Sequence, residues 1–185
     1  MTIQETKLKD CFIINDTVFT DARGYFFESF NQQRFAALTG ISVNFVQDNQ
    51  SKSTRGVLRG IHFQQSEHAQ AKLVRVLEGS VLDVAVDLRK NSPTFGQYEA
   101  VELSADNHLQ LFVPRGFGHA FVVLSPVATF FYKCDNFYNK ASEGGIIYND
   151  TTIGINWQIE ATEILLSEKD AALPTFNQVK NLIKF

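Results

Sequence analysis

Cysteine is scarce in this chain. Only Cys11 and Cys134 occur among its 185 residues, far apart and without a CxxC pair. Neither a disulfide framework nor a thiolate metal site is therefore expected. Both thiols are predicted to be free and buried.

Long apolar runs and basic clusters are also missing. No window approaches the roughly 18 uncharged apolar residues that a membrane span needs, and Met1 to Lys7 contain no apolar signal core. The net charge is −3, from 17 Lys and Arg against 20 Asp and Glu. Membrane and nucleic-acid partners are therefore not expected. We expect a cytoplasmic protein with one domain, residues 1–185.

Phenylalanine is abundant, with 17 residues, and it occurs with Val and Ile in short runs separated by turn-forming residues. This pattern is typical of β-strands. Ten strands are predicted, at 12–19, 26–30, 43–47, 57–63, 72–77, 80–87, 98–103, 108–113, 118–123 and 129–134. Short helices are predicted at 31–38 and from Ser167 towards Leu173, before Pro174. The predicted fold is all-β, a double-sheet jelly roll or barrel.

One segment breaks the rules for a buried strand. Residues 56–63 read Gly-Val-Leu-Arg-Gly-Ile-His-Phe, which places Arg59 and His62 in an otherwise apolar run. Both groups are costly to bury without partners, and an imidazole exchanges protons near neutral pH. Two readings stay open from this segment alone: a core histidine satisfied by a backbone carbonyl, or a functional site.

Two segments resemble the halves of a cupin barrel. The first begins at His62 and ends at Val81, and the second is the Pro-x-Gly-x-x-His turn from Pro114 to His119. Cupins usually bind a metal through His-x-His and a Glu from the first half and one His from the second. Gln64 breaks the His-x-His pair here, and a catalytic metal generally needs three protein ligands. We therefore expect a cupin scaffold without a metal.

Further motifs make the resemblance more specific, and together they cover most of the chain. They lie at 21–30, 45–51, 56–64, 72–75, 83–89, 92–96, 114–121 and 132–134. In this order they resemble the dTDP-4-dehydrorhamnose 3,5-epimerase family, cofactor-independent enzymes of rhamnose synthesis. The resemblance implies a cupin fold, no cofactor, and a dTDP-4-keto-6-deoxyhexose substrate.

Epimerisation next to a ketone explains the residue types at the matched positions. It needs a base, a group that stabilises the enolate, and an acid on the opposite face. His62 is the predicted base, because a neutral imidazole accepts a proton at pH 7. The resemblance implies Asp170 as its orienting partner, Tyr132 as the acid and Lys72 as the cation beside the enolate oxygen. From the sequence alone, Asp170 reads equally as a charge at a helix start and Tyr132 as a core aromatic.

The remaining matched positions are implied to bind the nucleotide sugar. Donors suited to a pyrophosphate are Arg23, Arg59 and His119. The implied sugar and base contacts are Glu28, Gln47 and Asn49, and the thymine ring would lie between Phe26 and Tyr138. Further implied binding positions are Glu143 and Lys169. Ordinary surface side chains are the alternative reading for these residues.

Three other interpretations stay open. One is a single-site epimerase, acting at C3 or C5 of another dTDP-4-keto-deoxysugar, which would keep the same His, Asp and Tyr. Another is a non-catalytic sugar-nucleotide-binding cupin, which would lose His62, Tyr132 or Asp170, although all three are present. The third is a metal cupin such as a dioxygenase, which would need more ligands than His62 and His119. A β-rich chain must also protect its sheet edges, and by resemblance we expect a homodimer in which Arg23 and Glu28 complete the partner's site.

Overall fold

The computed structural model describes all residues, 1–185, and they form two facing antiparallel sheets. The strands are β1 Thr2–Glu5, β2 Phe12–Asn15, β3 Phe19–Asp21, β4 Gly24–Phe26, β5 Gln47–Thr54, β6 Leu58–Gln64, β7 Lys72–Glu78, β8 Ser80–Asp87, β9 Tyr98–Ser104, β10 Leu109–Val113, β11 Phe117–Val123, β12 Val127–Cys134 and β13 Glu143–Gly145. The α-helices are α1 Gln32–Thr39, α2 Glu168–Ala171 and α3 Phe176–Val179, and 3-10 turns lie at Ser66–His68, Lys140–Ser142 and Ala161–Glu163.

The larger sheet has the strand order β1-β2-β10-β7-β12-β5, and the smaller has β13-β6-β11-β8-β9. Alternate residues of both sheets, among them Val74, Ala85, Leu111 and Phe121, form one apolar core between them. This arrangement is a cupin-like jelly roll, so the predicted all-β fold is confirmed. Strands β3 and β4 form a separate hairpin, whose Phe19, Tyr25 and Phe26 are exposed.

Each sheet is also covered on its outer face. Helix α1 begins after the cap Asn31 and ends at Gly40, and its Phe35 packs on Phe112 of the larger sheet at 4.9 Å between ring centroids. The C-terminal segment covers the smaller sheet with Trp157 and Phe176 among other apolar residues. Because both faces of β8 are covered, its eight residues are nearly all buried.

Most predicted elements are confirmed, including both helices and the strands along 72–134. The strand predicted at 43–47 is wrong except for its last residue, because Val43 packs beside Phe35 while strand β5 starts at Gln47. The strand predicted at 26–30 is wrong after Phe26, since Phe30 packs edge-on against Phe45 in a loop. The strand predicted at 12–19 is interrupted after Asn15 and resumes only at Phe19.

Strands β1 and β13 and helix α3 were not predicted, and strands β3, β4 and β5 were predicted at one residue each, Phe19, Phe26 and Gln47. Helix α3 did carry a signal, because Thr175 and Gln178 form a capping box directly after Pro174. Both cysteines are buried and free, as predicted. No helix is long and apolar enough to cross a membrane.

Candidate active site

A bulge in β6 brings Arg59 and His62 to the same face of the sheet. Residues three apart on a regular strand point to opposite faces, yet both side chains line one cavity. Between the pairs Arg59–Phe121 and His62–His119, β6 contains one residue more than β11. Gly60 permits this bulge, because its φ is +122° and a Cβ there would lie 2.5 Å from Cβ of Ala120.

Asp170 reaches His62 because the C-terminal segment attaches to the start of β6. Leu165 forms a parallel bridge with Val57, with backbone hydrogen bonds of 2.8 and 3.0 Å. Ser167 then caps α2, accepting from the Asp170 N–H at 3.1 Å and donating to Asp170 Oδ2 at 2.9 Å. The other carboxylate oxygen, Oδ1, lies 2.5 Å from His62 Nε2. Two residues 108 positions apart therefore form one histidine–aspartate pair.

This pairing defines the state of the imidazole. A carboxylate only accepts hydrogen bonds, so Nε2 carries the proton and Nδ1 is the unprotonated nitrogen. Burial lowers the pKa of His62 below its ordinary 6.5, and this effect outweighs the opposing attraction of Asp170. At pH 7 the ring is therefore neutral, as a general base must be.

The opposite sheet contributes Tyr132 from β12 and Lys72 from β7. Tyr132 packs against the core between the sheets, and Lys72 Nζ lies 5.6 Å from the centroid of the Tyr132 ring. Burial raises the pKa of Tyr132 above its ordinary 10.0 and lowers the pKa of Lys72 below its ordinary 10.5. At pH 7 the phenol thus carries its proton.

Both sheets line one cavity of about 300 Å³. Its lining residues are Asn49, Gln50, Ser51, Arg59, His62, Lys72, His119, Phe121, Phe130, Tyr132 and Asp170. All four predicted catalytic residues are among them, with His62 and Asp170 on one side and Tyr132 and Lys72 on the other. The polar cavity explains why β5, with the sequence QDNQSKST, is a strand without apolar residues.

A second histidine–aspartate pair lies deeper in the wall. His119 Nε2 is 2.8 Å from Asp83 Oδ1, and both side chains are buried. Nε2 therefore donates to Asp83, and Nδ1 is the ring nitrogen left to contact a ligand. Asp83 was not predicted as a functional residue, although a carboxylate inside the apolar run 81–86 was a visible signal.

Glu143 joins Tyr138 to Lys169. Its Oε2 accepts from the Tyr138 hydroxyl at 3.0 Å and from Lys169 Nζ at 2.7 Å. Burial alone would raise the pKa of Glu143, but the hydrogen bonds from Lys169 and Tyr138 lower it below its ordinary 4.5. These three residues line a second cavity of about 540 Å³, which shares His62 with the first.

Two glutamines fix the loop that contains Tyr138. Gln47 Oε1 accepts from the Tyr138 N–H at 3.1 Å, while its Nε2 donates to Asn49 Oδ1. Gln64, at the position of the second cupin histidine, accepts from the Asn139 N–H at 2.9 Å. No group of three or more His, Cys, Asp or Glu side chains is placed to hold a metal ion.

Arg23, Phe26 and Glu28 line neither cavity. Arg23 is 90% exposed at the tip of the β3–β4 hairpin and pairs with Asp21, and Phe26 is 71% exposed. Glu28 pairs with Arg34 at 3.0 Å. Of the other eleven predicted site residues, ten line one of the two cavities. The remaining one, Gln47, is hydrogen-bonded to Asn49 and Tyr138.

Fold and site together define a cupin-like protein whose cavity is equipped for proton transfer by side chains. The comparisons with known proteins make this specific. The sequence profile of the dTDP-4-dehydrorhamnose 3,5-epimerase family matches residues 5–178. The chain belongs to that family.

Three relatives illustrate the similarity. The dTDP-4-dehydrorhamnose 3,5-epimerase of Salmonella typhimurium is 54% identical over 96% of this chain and 97% of its own. The dTDP-4-dehydrorhamnose 3,5-epimerase from Elizabethkingia anophelis is 58% identical in sequence, and its crystal structure superposes with a TM-score of 0.94 over 96% of this chain and 97% of that one. The Legionella pneumophila enzyme, solved in complex with dTDP-4-keto-L-rhamnose, is 46% identical, with a TM-score of 0.94 over 99% and 97%.

Proposed function

We propose that this protein is an isomerase that converts dTDP-4-dehydro-6-deoxy-D-glucose into dTDP-4-dehydro-L-rhamnose by inverting C3 and C5. The observation that carries the proposal is the placement of His62 and Tyr132 in one cavity, on opposite sheets. Inversion requires proton removal from one face of a carbon and proton delivery to the other. The relatives' activity and the ligand of the Legionella enzyme support the same substrate.

In the first step, Nδ1 of His62 removes the proton from the carbon next to the C4 ketone. The resulting imidazolium is stabilised by Asp170 at 2.5 Å, and the C–H electron pair moves into the enolate. Lys72 stabilises the negative charge on the enolate oxygen. In the second step the Tyr132 hydroxyl delivers its proton to the opposite face of that carbon. The phenolate is then reprotonated from solvent, and the His62 imidazolium releases the abstracted proton to solvent, so that base and acid are restored. The cycle at the other carbon has the same balance.

The nucleotide is proposed to extend from this cavity towards the rim. Arg59 and His119 bind the pyrophosphate, and Gln47, Asn49, Glu143 and Lys169 contact the sugar and base. Tyr138 stacks on the thymine ring, a role that suits its 52% exposure.

A homodimer would bring the remaining predicted residues to a site. The β3–β4 hairpin projects exposed aromatic side chains, a feature typical of an interaction surface. We propose that the hairpin reaches the partner subunit and that Arg23, Phe26 and Glu28 contact the nucleotide bound there.

Incubation with dTDP-4-keto-6-deoxyglucose in deuterium oxide tests the proposed activity. NMR should show deuterium at both C3 and C5 in the inverted product. His62→Ala should reduce exchange at both carbons by about a hundredfold to ten-thousandfold while nucleotide binding persists. Label at one carbon only would indicate a single-site epimerase, and absence of label would indicate a binding protein. Substantial exchange without His62 would mean that another group is the base.

A further inference from the structure

One buried side chain holds both ends of the segment that contains the β3–β4 hairpin. Gln110 Nε2 donates to Asp16 Oδ2 at 2.5 Å and to the Ser29 carbonyl oxygen at 2.6 Å. Gln110 is 2% exposed and Asp16 is 6% exposed. We call residues 17–28, between these two anchors, the arm.

The orientation of this amide follows from its neighbours. A carboxylate and a carbonyl are both acceptors, so only the NH₂ group can lie between them. Each of its two hydrogens has one acceptor, and the two bonds converge on a single nitrogen. The base of the arm is thereby closed at a fixed width, although Asp16 and Ser29 are 13 positions apart in the sequence.

Gln110 itself is held rigidly. It lies on β10, where it pairs with Ile14 of β2 and with Arg75 of β7, so its backbone is fixed on both sides. At the tip of the arm the hairpin residues are exposed, and Arg23 pairs only with its neighbour Asp21. Closer to the sheet, Tyr25 and Phe27 pack on His108 at 4.8 and 5.3 Å between ring centroids, and the Arg75 guanidinium lies 5.3 Å from the Phe27 centroid. Gln110 therefore holds the two ends of the arm together at its base, while the contacts with His108 and Arg75 support its side.

We propose that Gln110 is a positioning residue that aims the arm, and with it Arg23, Phe26 and Glu28, at the partner's site. The proposal rests on the proposed function, in which the arm completes that site. Gln110 then acts in trans: it improves substrate binding at the partner's His62, not at the His62 of its own chain. A purely structural role would instead harm the site of its own chain.

Gln110→Met removes both donors and preserves the side-chain length. We expect KM to rise about tenfold or more, the range for losing hydrogen bonds to a charged and a neutral acceptor, with kcat within about twofold of the wild type because no group at the reacting carbons changes. Ile14→Val is the matched control, since it disturbs the strand paired with Gln110 without touching the anchors. It should lower the melting temperature and leave KM unchanged.

Mixed dimers separate action in trans from action in cis. When Gln110→Met and His62→Ala chains are mixed, each heterodimer has one site with an intact base and an arm from a chain that keeps Gln110. About half of the dimers are mixed, so about a quarter of all sites should regain the wild-type KM. If no component with the wild-type KM appears, Gln110 acts in its own chain and the proposal is overturned.

Arg23→Ala mixed with His62→Ala tests the underlying function in the same way. Rescue of Arg23→Ala without rescue of Gln110→Met overturns only the role of Gln110, whereas failure of both overturns the arm exchange itself. If Gln110→Met does not fold, Asp16→Ala removes one anchor and leaves the Ser29 bond. It should show a smaller rise in KM with the same rescue, and an unchanged KM would count against the proposal.

Discussion

At the scale of single residues, burial sets the charge of both proton-transfer groups. It favours the neutral form of each. At pH 7 His62 can therefore accept a proton, and Tyr132 still carries the proton that it donates. Lys72 is half-buried beside Tyr132, and burial lowers its pKa as well. The roles of base, acid and cation therefore follow from position in the barrel and not from residue type alone.

Tyr132→Phe should separate exchange from inversion. His62 can still remove a proton and return one from solvent, but only to the face from which it came, so configuration is retained. We expect deuterium to enter the substrate while inversion falls by about a hundredfold or more. Deuterium content and product configuration would be followed together by NMR. Normal inversion in this variant would mean that water or another group is the acid.

The pH profile of kcat/KM should have an acid limb below pH 6.5 and an alkaline limb that belongs to Lys72. As pH falls, His62 gains a proton at a pKa below 6.5 and stops acting as a base. As pH rises, Lys72 loses its charge below 10.5, whereas Tyr132 keeps its proton beyond 10.0. Lys72→Arg should therefore lower the rate but move the alkaline limb upwards, because a guanidinium stays charged. If the alkaline limb of the Lys72→Arg variant stayed at the same pH, the limb would belong to Tyr132.

At the scale of elements, the bulge in β6 is the feature that makes a site out of a strand. Gly60→Ala should lower the free energy of unfolding by about 1–3 kcal/mol from backbone strain alone. The new Cβ would also meet Ala120 and the carbonyl of His119, so activity should fall with stability. Urea unfolding monitored by circular dichroism would measure the loss.

Gly24→Ala is the comparison for this prediction. Gly24 has a similar φ of +130°, but no atom lies within 4 Å of its Cβ position. Gly24→Ala should therefore lose stability from the backbone strain of a positive φ, but not from steric overlap of the new Cβ. Equal losses of stability in the two variants would show that β11 does not constrain Gly60.

Sequence patterns predicted the elements whose function is to fill a core. Strands β7, β8, β11 and β12 alternate or accumulate apolar residues, so their positions follow from hydrophobicity. Strand β5 could not be found in this way, because one of its faces lines a polar cavity. The aromatic residues at 26–30 misled the prediction for the opposite reason, since they pack in a loop.

The site was predictable in its members but not in its geometry. The sequence motifs identified His62, Tyr132, Lys72 and Asp170 through family resemblance. No local pattern indicated that Arg59 and His62 share a face, since that depends on one extra residue opposite β11. Gln110 was also beyond reach of the sequence, because both of its partners come from distant segments.

At the scale of the whole molecule, the proposed dimer makes activity depend on concentration. If each site needs an arm from a second chain, specific activity should fall as the enzyme is diluted and its subunits separate. An excess of the inactive His62→Ala chain should restore it, since that chain still supplies an arm. Activity assays over a dilution series, with analytical ultracentrifugation, would measure both effects. A monomer with full activity would contradict the exchange of arms.

The attachment of the C-terminal segment to β6 has a consequence during protein synthesis. His62 leaves the ribosome 108 residues before Asp170, and at typical elongation rates this interval is about 5–20 s. During that time strands β7 to β12 are synthesised one after another and can begin to pair, while His62 has no carboxylate beside it. The strands can therefore pair before His62 has its carboxylate partner, and the His62–Asp170 pair can form only once the segment that begins at Leu165 has joined Val57. The catalytic site is therefore completed late in synthesis, after most of the strands have been made and can pair.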